Sequence, residues 1–368
     1  MKIKKIEMFH TSMRLVQPFR THLGTVTERE SILLKITDVE GYSGWGEVVA
    51  FSSPWYTEET IGTAWHMLEE FFIPSIIEGE WDHPSTLYEA LTVWKGNPMA
   101  KAGIEMAAWD LFAKKENKPL ADYIGGISKK VPAGVVVSVD TPSNMLATIA
   151  VRLKEGYERV KVKIDPENDY EMIKAIREVF PKLALMADAN SAYKLDDVER
   201  LQRLDQFDLL MIEQPLAADD IVEHAQLQKK LSTPICLDES IVSYQDAENA
   251  LKIGSCQVIN IKIGRVGGLT NAIRIHDLCQ QHNVPVWCGG MLETGISRAF
   301  NIALATLPNF SIPGDISASS RYWKKDVVEP EVVVRHGKID VPTFPGIGFS
   351  VNEPYVKEIS KRIKIYEA

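Results

Sequence analysis

Three acidic residues close strand-like runs at a regular interval: Asp188 in Leu185-Met186-Ala187-Asp188, Glu213 in Met211-Ile212-Glu213, and Asp238 in Cys236-Leu237-Asp238. Successive members are 25 residues apart. A lone acid of this kind ordinarily pairs with a nearby lysine or arginine, but three at one spacing ask for a common cause. One β-strand with its returning helix takes about that many residues, so the carboxylates are expected at the C-terminal ends of consecutive parallel strands, facing one mouth. Converging anions need a cation, and hard oxygen ligands without His or Cys select Mg²⁺, with Mn²⁺ as a substitute, over zinc.

Lysines continue the interval on both sides. Lys163 stands 25 residues before Asp188, and Lys262 stands 24 after Asp238. Lys161 and Lys163 are two apart in an apolar run, so on a strand both point to one side; an edge strand with a solvated face is the other reading of that pair. A lysine near its ordinary pKa of about 10.4 is a poor base at neutral pH, but a neighbouring ammonium, a divalent cation and partial burial all lower it. Lys161 would tune Lys163 in this way. Two lysines on opposite sides of a metal suit proton removal beside a carboxylate, because the charge that builds on the oxygens is stabilised by the cation.

Such a mouth needs a closed set of parallel strands. From residue 132 onward, short β-branched runs alternate with amphipathic stretches, at Gly134–Val139, Arg159–Ile164, Leu183–Asp188, Leu209–Glu213, Ile235–Asp238, Val258–Ile263, Val284–Cys288 and Asn309–Pro313. Eight runs favour a (β/α) barrel over an open doubly wound sheet. Before them, strand-like runs at 2–15, 30–37 and 43–49 are followed by helix-like runs near 58–77 and 98–115, which reads as an α+β unit. The division expected is 1–125 for a capping domain, 126–325 for the barrel, and 326–368 for an extended segment (331–335, 338–341) that returns to the cap.

The 368 residues carry 41 Lys+Arg against 50 Asp+Glu, a net charge of −9. With no block of like charge, nucleic acid and anionic membrane surfaces are poor partners. The N-terminus starts basic but no apolar run follows it, so a cytoplasmic location is expected. Cys236, Cys256, Cys279 and Cys288 have no CxxC spacing and read as reduced thiols.

The whole pattern resembles the enolase superfamily, in its lysine-based branch. Gly44-Trp45-Gly46-Glu47 and Ala102-Gly103-Ile104-Glu105-Met106-Ala107-Ala108-Trp109-Asp110-Leu111 look like that family's capping-domain strand and helix, with Glu105 and Asp110 as pairing or capping groups. The resemblance implies a barrel of the modified TIM type, Asp188, Glu213 and Asp238 as Mg²⁺ ligands, Lys163 and Lys262 as acid/base groups, and Asn190 and Glu239 beside them. Val286-Trp287-Cys288 lacks the histidine of the mandelate racemase branch, and Gly314-Asp315-Ile316-Ser317 breaks the Asp-x-Asp of dipeptide epimerases; muconate cycloisomerases are a further branch set lower. Pro18-Phe19-Arg20-Thr21-His22, Gly290-Met291-Leu292-Glu293-Thr294-Gly295 and Gly314–Ser319 look like the o-succinylbenzoate synthase/N-succinylamino acid racemase family. That likeness implies a small carboxylate substrate, contacts from Ser138, Gly290, Met291, Leu292, Phe19, His22, Phe51 and Ser52, and a homo-oligomer. Arg265 is similar to an arginine of members that also racemise N-acylamino acids; a surface arginine on the loop is the alternative.

Overall fold

The computed structural model describes residues 1–21, 24–137 and 141–368. Strands β1 (Ile3–Thr21), β2 (Gly24–Asp38) and β3 (Ser43–Val48) form an antiparallel sheet, and the C-terminal strand Ser360–Glu367 adds to the free side of β1. Alternation sorts the faces. Ile6, Met8, Ile32, Leu34 and Ile36 join the apolar side of helix Ile61–Met67, whereas Phe9, Leu33 and Trp45 meet Met106 and Trp109. Helix Pro98–Lys115 is buried from Met99 to Ala113, as an apolar surface on all sides requires. It begins where Pro98 needs no N–H partner and where Glu59 accepts the amides of Met99 (2.7 Å) and Ala100 (3.1 Å).

The glycines of the cap motifs have a steric cause. A Cβ on Gly46 would stand 2.0 Å from the Gly103 carbonyl oxygen, and one on Gly44 would stand 2.1 Å from that of Ala107. Only a strand without side chains there can lie so close on the helix.

After β4 (Lys130–Pro132) come seven parallel strands paired in sequence order: β5 (Val135–Val137), β6 (Arg159–Lys163), β7 (Ala184–Asp188), β8 (Ile212–Glu213), β9 (Ile235–Leu237), β10 (Val258–Ile261) and β11 (Val286–Cys288). Seven of the eight expected runs are therefore strands, shorter than anticipated at their ends, with 138–139 of the first run outside the described residues. The eighth, Asn309–Pro313, is not a strand. It makes a single bridge to β11 (Val286 with Phe310), and the residue after it bridges Ala133. Pro308 and Pro313 lack the N–H that a ladder needs, so this segment completes the ring without a ladder of its own.

The β-strand period builds the interior in layers. Met186, Met211, Cys236, Val258 and Trp287 form one buried apolar cluster. Each lies two residues before a polar or glycine position: Asp188, Glu213, Asp238, Asn260 and Gly289. The apolar layer is thus the floor on which the charged layer stands.

Past the barrel, β12 (Val328–Glu329) pairs with β14 (Ser350–Val351), and β13 (Lys338–Asp340) pairs with β4. The Ser360–Glu367 strand is β15. The expected run 331–335 forms no strand, because Ser319 takes up the backbone of Val332 on both sides, through Ser319 N to Val332 O (2.9 Å) and Val332 N to Ser319 Oγ (3.1 Å).

Buried acids fasten cap to barrel. Glu105 accepts the amides of Leu269 (2.7 Å) and Thr270 (2.8 Å), the first residues of helix Leu269–Gln281. Glu47 accepts Thr294 N (3.0 Å) and Ser297 N (3.1 Å) at the start of helix Gly295–Leu304. Carboxylates suit helix N-termini, where orphan N–H groups and the dipole converge. Burial, offset by these bonds, pushes Glu105 up to about 7 and raises Glu47. Asp110 accepts Trp45 N and Ile347 N, both at 2.8 Å, and pairs with Lys114 at 2.7 Å. Glu105 and Asp110 are structural groups, as the sequence suggests.

Candidate active site

Strands β6 to β10 deliver the charged layer. β6 is an interior strand between β5 and β7, which excludes the edge-strand reading of the lysine pair. Lys163 lies opposite Asp188 in the ladder, and Asp188 lies opposite Glu213. Lys163 Nζ donates to Asp188 Oδ2 and to Asn190 Oδ1, each at 2.6 Å. Deeper in the barrel, Lys161 Nζ lies 3.0 Å from Glu213 Oε2, 3.2 Å from Asp188 Oδ2 and 2.7 Å from Asp315 Oδ2.

On the far flank, Lys262 Nζ donates to Asp238 Oδ2 at 2.7 Å and to Tyr56 Oη at 2.9 Å. Arg265 is 1% exposed and is no surface arginine. Its guanidinium binds Asp238 Oδ1, Tyr56 Oη (3.1 Å), and the carbonyls of Ile241 (2.8 Å) and Asn260 (2.6 Å).

Burial alone would lower the Lys161 ammonium, yet Asp315, Glu213 and Asp188 outweigh it and hold this lysine above its ordinary pKa. Lys262 is raised too, since attraction by Tyr56, Glu239 and Glu213 exceeds its burial. Burial would raise Asp188, but Lys163 and Lys161 hold it well below the carboxylate range. Glu213 is raised, by burial first and then by Asp188.

Among the described residues no three acidic, His or Cys side chains stand as a closed metal cluster, the carboxylates being turned onto their cations. The donor chemistry nonetheless fits a hard divalent ion. Asp188, Glu213 and Asp238 are at most 1% exposed, and present only oxygen. Glu239 adds a buried Oε2 that has no hydrogen-bond partner there.

The expected contact residues divide into groups. Asn190 donates to Glu239 Oε1 at 3.0 Å while accepting Lys163, so both belong to the charged layer. Phe51 and Ser52 line a cavity of about 340 Å³ beside Arg29, whose guanidinium lies 4.3 Å over the Phe51 ring. Leu292 is buried and gives its carbonyl to Arg29 Nε at 3.0 Å; Met291 packs against cap and barrel clusters alike. Gly290 lies against the Asp315 carbonyl, which a Cβ would approach to 2.2 Å. Phe19 pairs with Val26 and packs on the main core, apart from the cavity lining. His22 and Ser138 lie outside the described residues.

Several site residues escaped the sequence reading. Arg159 is two before Lys161, so the same alternation that pairs the lysines also points Arg159 inward. It is fully buried, 2.7 Å from Asp315 Oδ1, with its guanidinium 5.2 Å from the centre of the Trp287 ring. Asn260, two before Lys262, donates to Glu213 Oε1 at 2.8 Å. Strand alternation reveals both. Tyr56 and Asp315 sit on loops, where no period applies.

A capped parallel barrel with carboxylates at three adjacent strand ends, and a lysine on either flank, defines a class of carbon-acid enzymes. Residues 144–355 match the family model described as enolase C-terminal domain-like, and residues 4–125 match that of the mandelate racemase/muconate lactonizing enzyme N-terminal domain. The chain belongs to the enolase superfamily. It is 54% identical to an o-succinylbenzoate synthase of Bacillus subtilis over 99% of this chain and 98% of that one. It is 44% identical to an N-succinylamino acid racemase of Thermus thermophilus over 98% of each. A crystal structure of an enolase-superfamily member from Listeria innocua superposes with a TM-score of 0.98 at 42% identity, covering 100% of this chain and 99% of that one. A dipeptide epimerase from Cytophaga hutchinsonii, complexed with Mg and a dipeptide, has a TM-score of 0.90 at 26% identity, covering 99% of this chain and 100% of that one.

Proposed function

We propose that this chain is an o-succinylbenzoate synthase, dehydrating 2-succinyl-6-hydroxy-2,4-cyclohexadiene-1-carboxylate on the route to menaquinone, and that it also racemises N-succinylamino acids. The observation that carries the reading is the pair of lysines on opposite flanks of the carboxylates, Lys163 on Asp188 and Lys262 on Asp238. Asp188, Glu213 and Asp238 would hold Mg²⁺, or Mn²⁺ in its place, and the bound ion would stabilise the charge that builds on the substrate carboxylate.

Lys163 removes the proton next to that carboxylate and, as the ammonium, passes it to the departing ring hydroxyl, which leaves as water while aromatisation drives the elimination. Lys262 stabilises the developing charge from the other face. Lys161, tied to Asp315 and Glu213, keeps a fixed positive charge beneath Lys163. Racemisation uses the same groups differently: one lysine takes the α-proton and the other returns one to the opposite face. The second activity is favoured by the equal build of the two lysines, each held by a carboxylate and one further oxygen.

In this reading residues 1–125 are the cap, 126–325 the catalytic barrel and 326–368 the segment returning to the cap, where β15 pairs with β1. Asn190, Glu239, Gly290, Met291, Leu292, Phe19, Phe51 and Ser52 border the substrate. The enzyme is cytoplasmic and a homo-oligomer; among the described residues no helix is long and apolar enough to cross a membrane. The direct test follows loss of the cyclohexadiene carboxylate by ultraviolet absorbance with Mg²⁺ present, alongside an N-succinylamino acid in D₂O watched for α-proton exchange. Fast dehydration with exchange is expected; neither reaction, in protein that still binds metal, sinks the substrate assignment.

A further inference from the structure

The two lysines are held by the same device, built from different parts of the molecule. A neutral amine has two N–H bonds and one lone pair, and an ammonium has three N–H bonds. Two fixed acceptors therefore leave one direction for the substrate in either state. For Lys163 the acceptors are Asp188 Oδ2 and Asn190 Oδ1, both from the barrel. For Lys262 they are Asp238 Oδ2, from the barrel, and Tyr56 Oη, from the cap loop between β3 and helix Ile61–Met67.

Tyr56 is itself anchored. Its ring packs with Phe51 and Trp55, at centroid distances of 6.3 and 5.9 Å, and touches both the cap core and the barrel core. Arg265 also donates to Oη at 3.1 Å. With Lys262 as the ammonium and Arg265 both donating to it, the phenol oxygen is held from two sides and the hydroxyl cannot turn away.

We propose that Tyr56 is a positioning residue for Lys262, the cap's counterpart of Asn190, and that it aims the Lys262 amine at one face of the substrate while leaving Lys163 to barrel residues alone. The proposal rests on the two-lysine reading given above. Its consequence is face-selective: without the hydroxyl, the Lys262 amine rotates about Cε–Nζ, and only transfers on its own face suffer.

The test is Tyr56→Phe, which keeps the ring and removes the oxygen. Separate N-succinyl-L-phenylalanine and N-succinyl-D-phenylalanine samples are followed in D₂O by proton NMR, and Lys163→Ala identifies the enantiomer served by Lys262. Exchange of that enantiomer is expected to fall about three- to tenfold, the other holding within about twofold, as loss of one oriented hydrogen bond predicts. An equal fall for both enantiomers, or no change in their ratio, overturns the proposal. If the unaltered protein exchanges neither enantiomer, the racemase reading fails separately. Positioning is then judged from a crystal structure of Tyr56→Phe: a displaced Lys262 ammonium upholds it and an unmoved one overturns it.

Discussion

Lys163→Ala is the sharpest test of the proposed chemistry. The substitution deletes an amine 2.6 Å from both Asp188 and Asn190, and with it the base proposed for the elimination. General-base catalysis by a positioned group contributes about 10²- to 10⁴-fold, or roughly 3–5 kcal/mol of barrel-side transition-state stabilisation. The fold should survive, because Asp188 keeps Lys161 at 3.2 Å and is not left as an unpaired buried charge. Dehydration rate is measured by ultraviolet absorbance and Mg²⁺ binding by calorimetry on the same sample. The expected result is a fall in kcat of at least about a hundredfold with metal binding retained. The Lys163 side chain is 32% exposed, so a small primary amine added to the buffer can reach the gap and restore part of the rate. Turnover within about tenfold of the unaltered enzyme would refute the assignment of Lys163 as the base.

Two further predictions concern the fold that holds the site. Asp110→Asn places an amide where both carboxylate oxygens accept backbone N–H groups, so either Trp45 or Ile347 loses its partner and the Lys114 pair weakens. One unpaired buried N–H with a weakened charged bond costs roughly 2–4 kcal/mol, read for a chain of 368 residues as a fall of about 3–5 °C in the thermal midpoint, with turnover intact in protein that remains folded. Burial pushes the Glu105 carboxyl up to about 7, above its unfolded value, so the native state holds a proton that the unfolded chain releases. Stability contributed by this group is therefore full below about pH 4.5 and falls as pH rises towards 7, by up to roughly 3 kcal/mol. Urea unfolding at pH 5 and pH 8 should show a smaller difference in Glu105→Gln than in the unaltered protein, and an equal difference would contradict this account.

The legible part of the sequence was the part with a period. The 25-residue interval located Asp188, Glu213 and Asp238 because each βα unit repeats, and the same interval found Lys163 and Lys262. Alternation placed Lys161 beside Lys163, and carried one step further it would have placed Arg159 and Asn260 as well. The eighth strand was overcounted because the apolar run around Phe310 looks like a strand, while Pro308 and Pro313 deny it a ladder. Tyr56 and Asp315 had no period to betray them. A loop residue's position is set by the elements on which its loop rests, here the cap sheet for Tyr56 and the barrel rim for Asp315, and those contacts span 206 residues for Lys262 with Tyr56 and 154 for Lys161 with Asp315.

The charge count of the mouth carries the argument on to ligand order. Five carboxylates, Asp188, Glu213, Asp238, Glu239 and Asp315, face five cations, Arg159, Lys161, Lys163, Lys262 and Arg265, and the ionised set is neutral. A divalent ion alone adds two positive charges to a buried, low-dielectric site, and a dianionic substrate alone adds two negative ones. Entering together they cancel. Each should therefore tighten the other, and by linkage the two effects must be equal. We expect the Kd for Mg²⁺, measured by calorimetry, to fall about 5- to 100-fold in saturating o-succinylbenzoate, the dianionic product, with the Kd for product falling by the same factor at saturating Mg²⁺. Asp315→Asn, which leaves the set one charge positive before either ligand arrives, should weaken Mg²⁺ alone and tighten product alone while leaving the coupling factor between them in place. A Kd for Mg²⁺ indifferent to the product would mean that ion and product do not meet in this mouth.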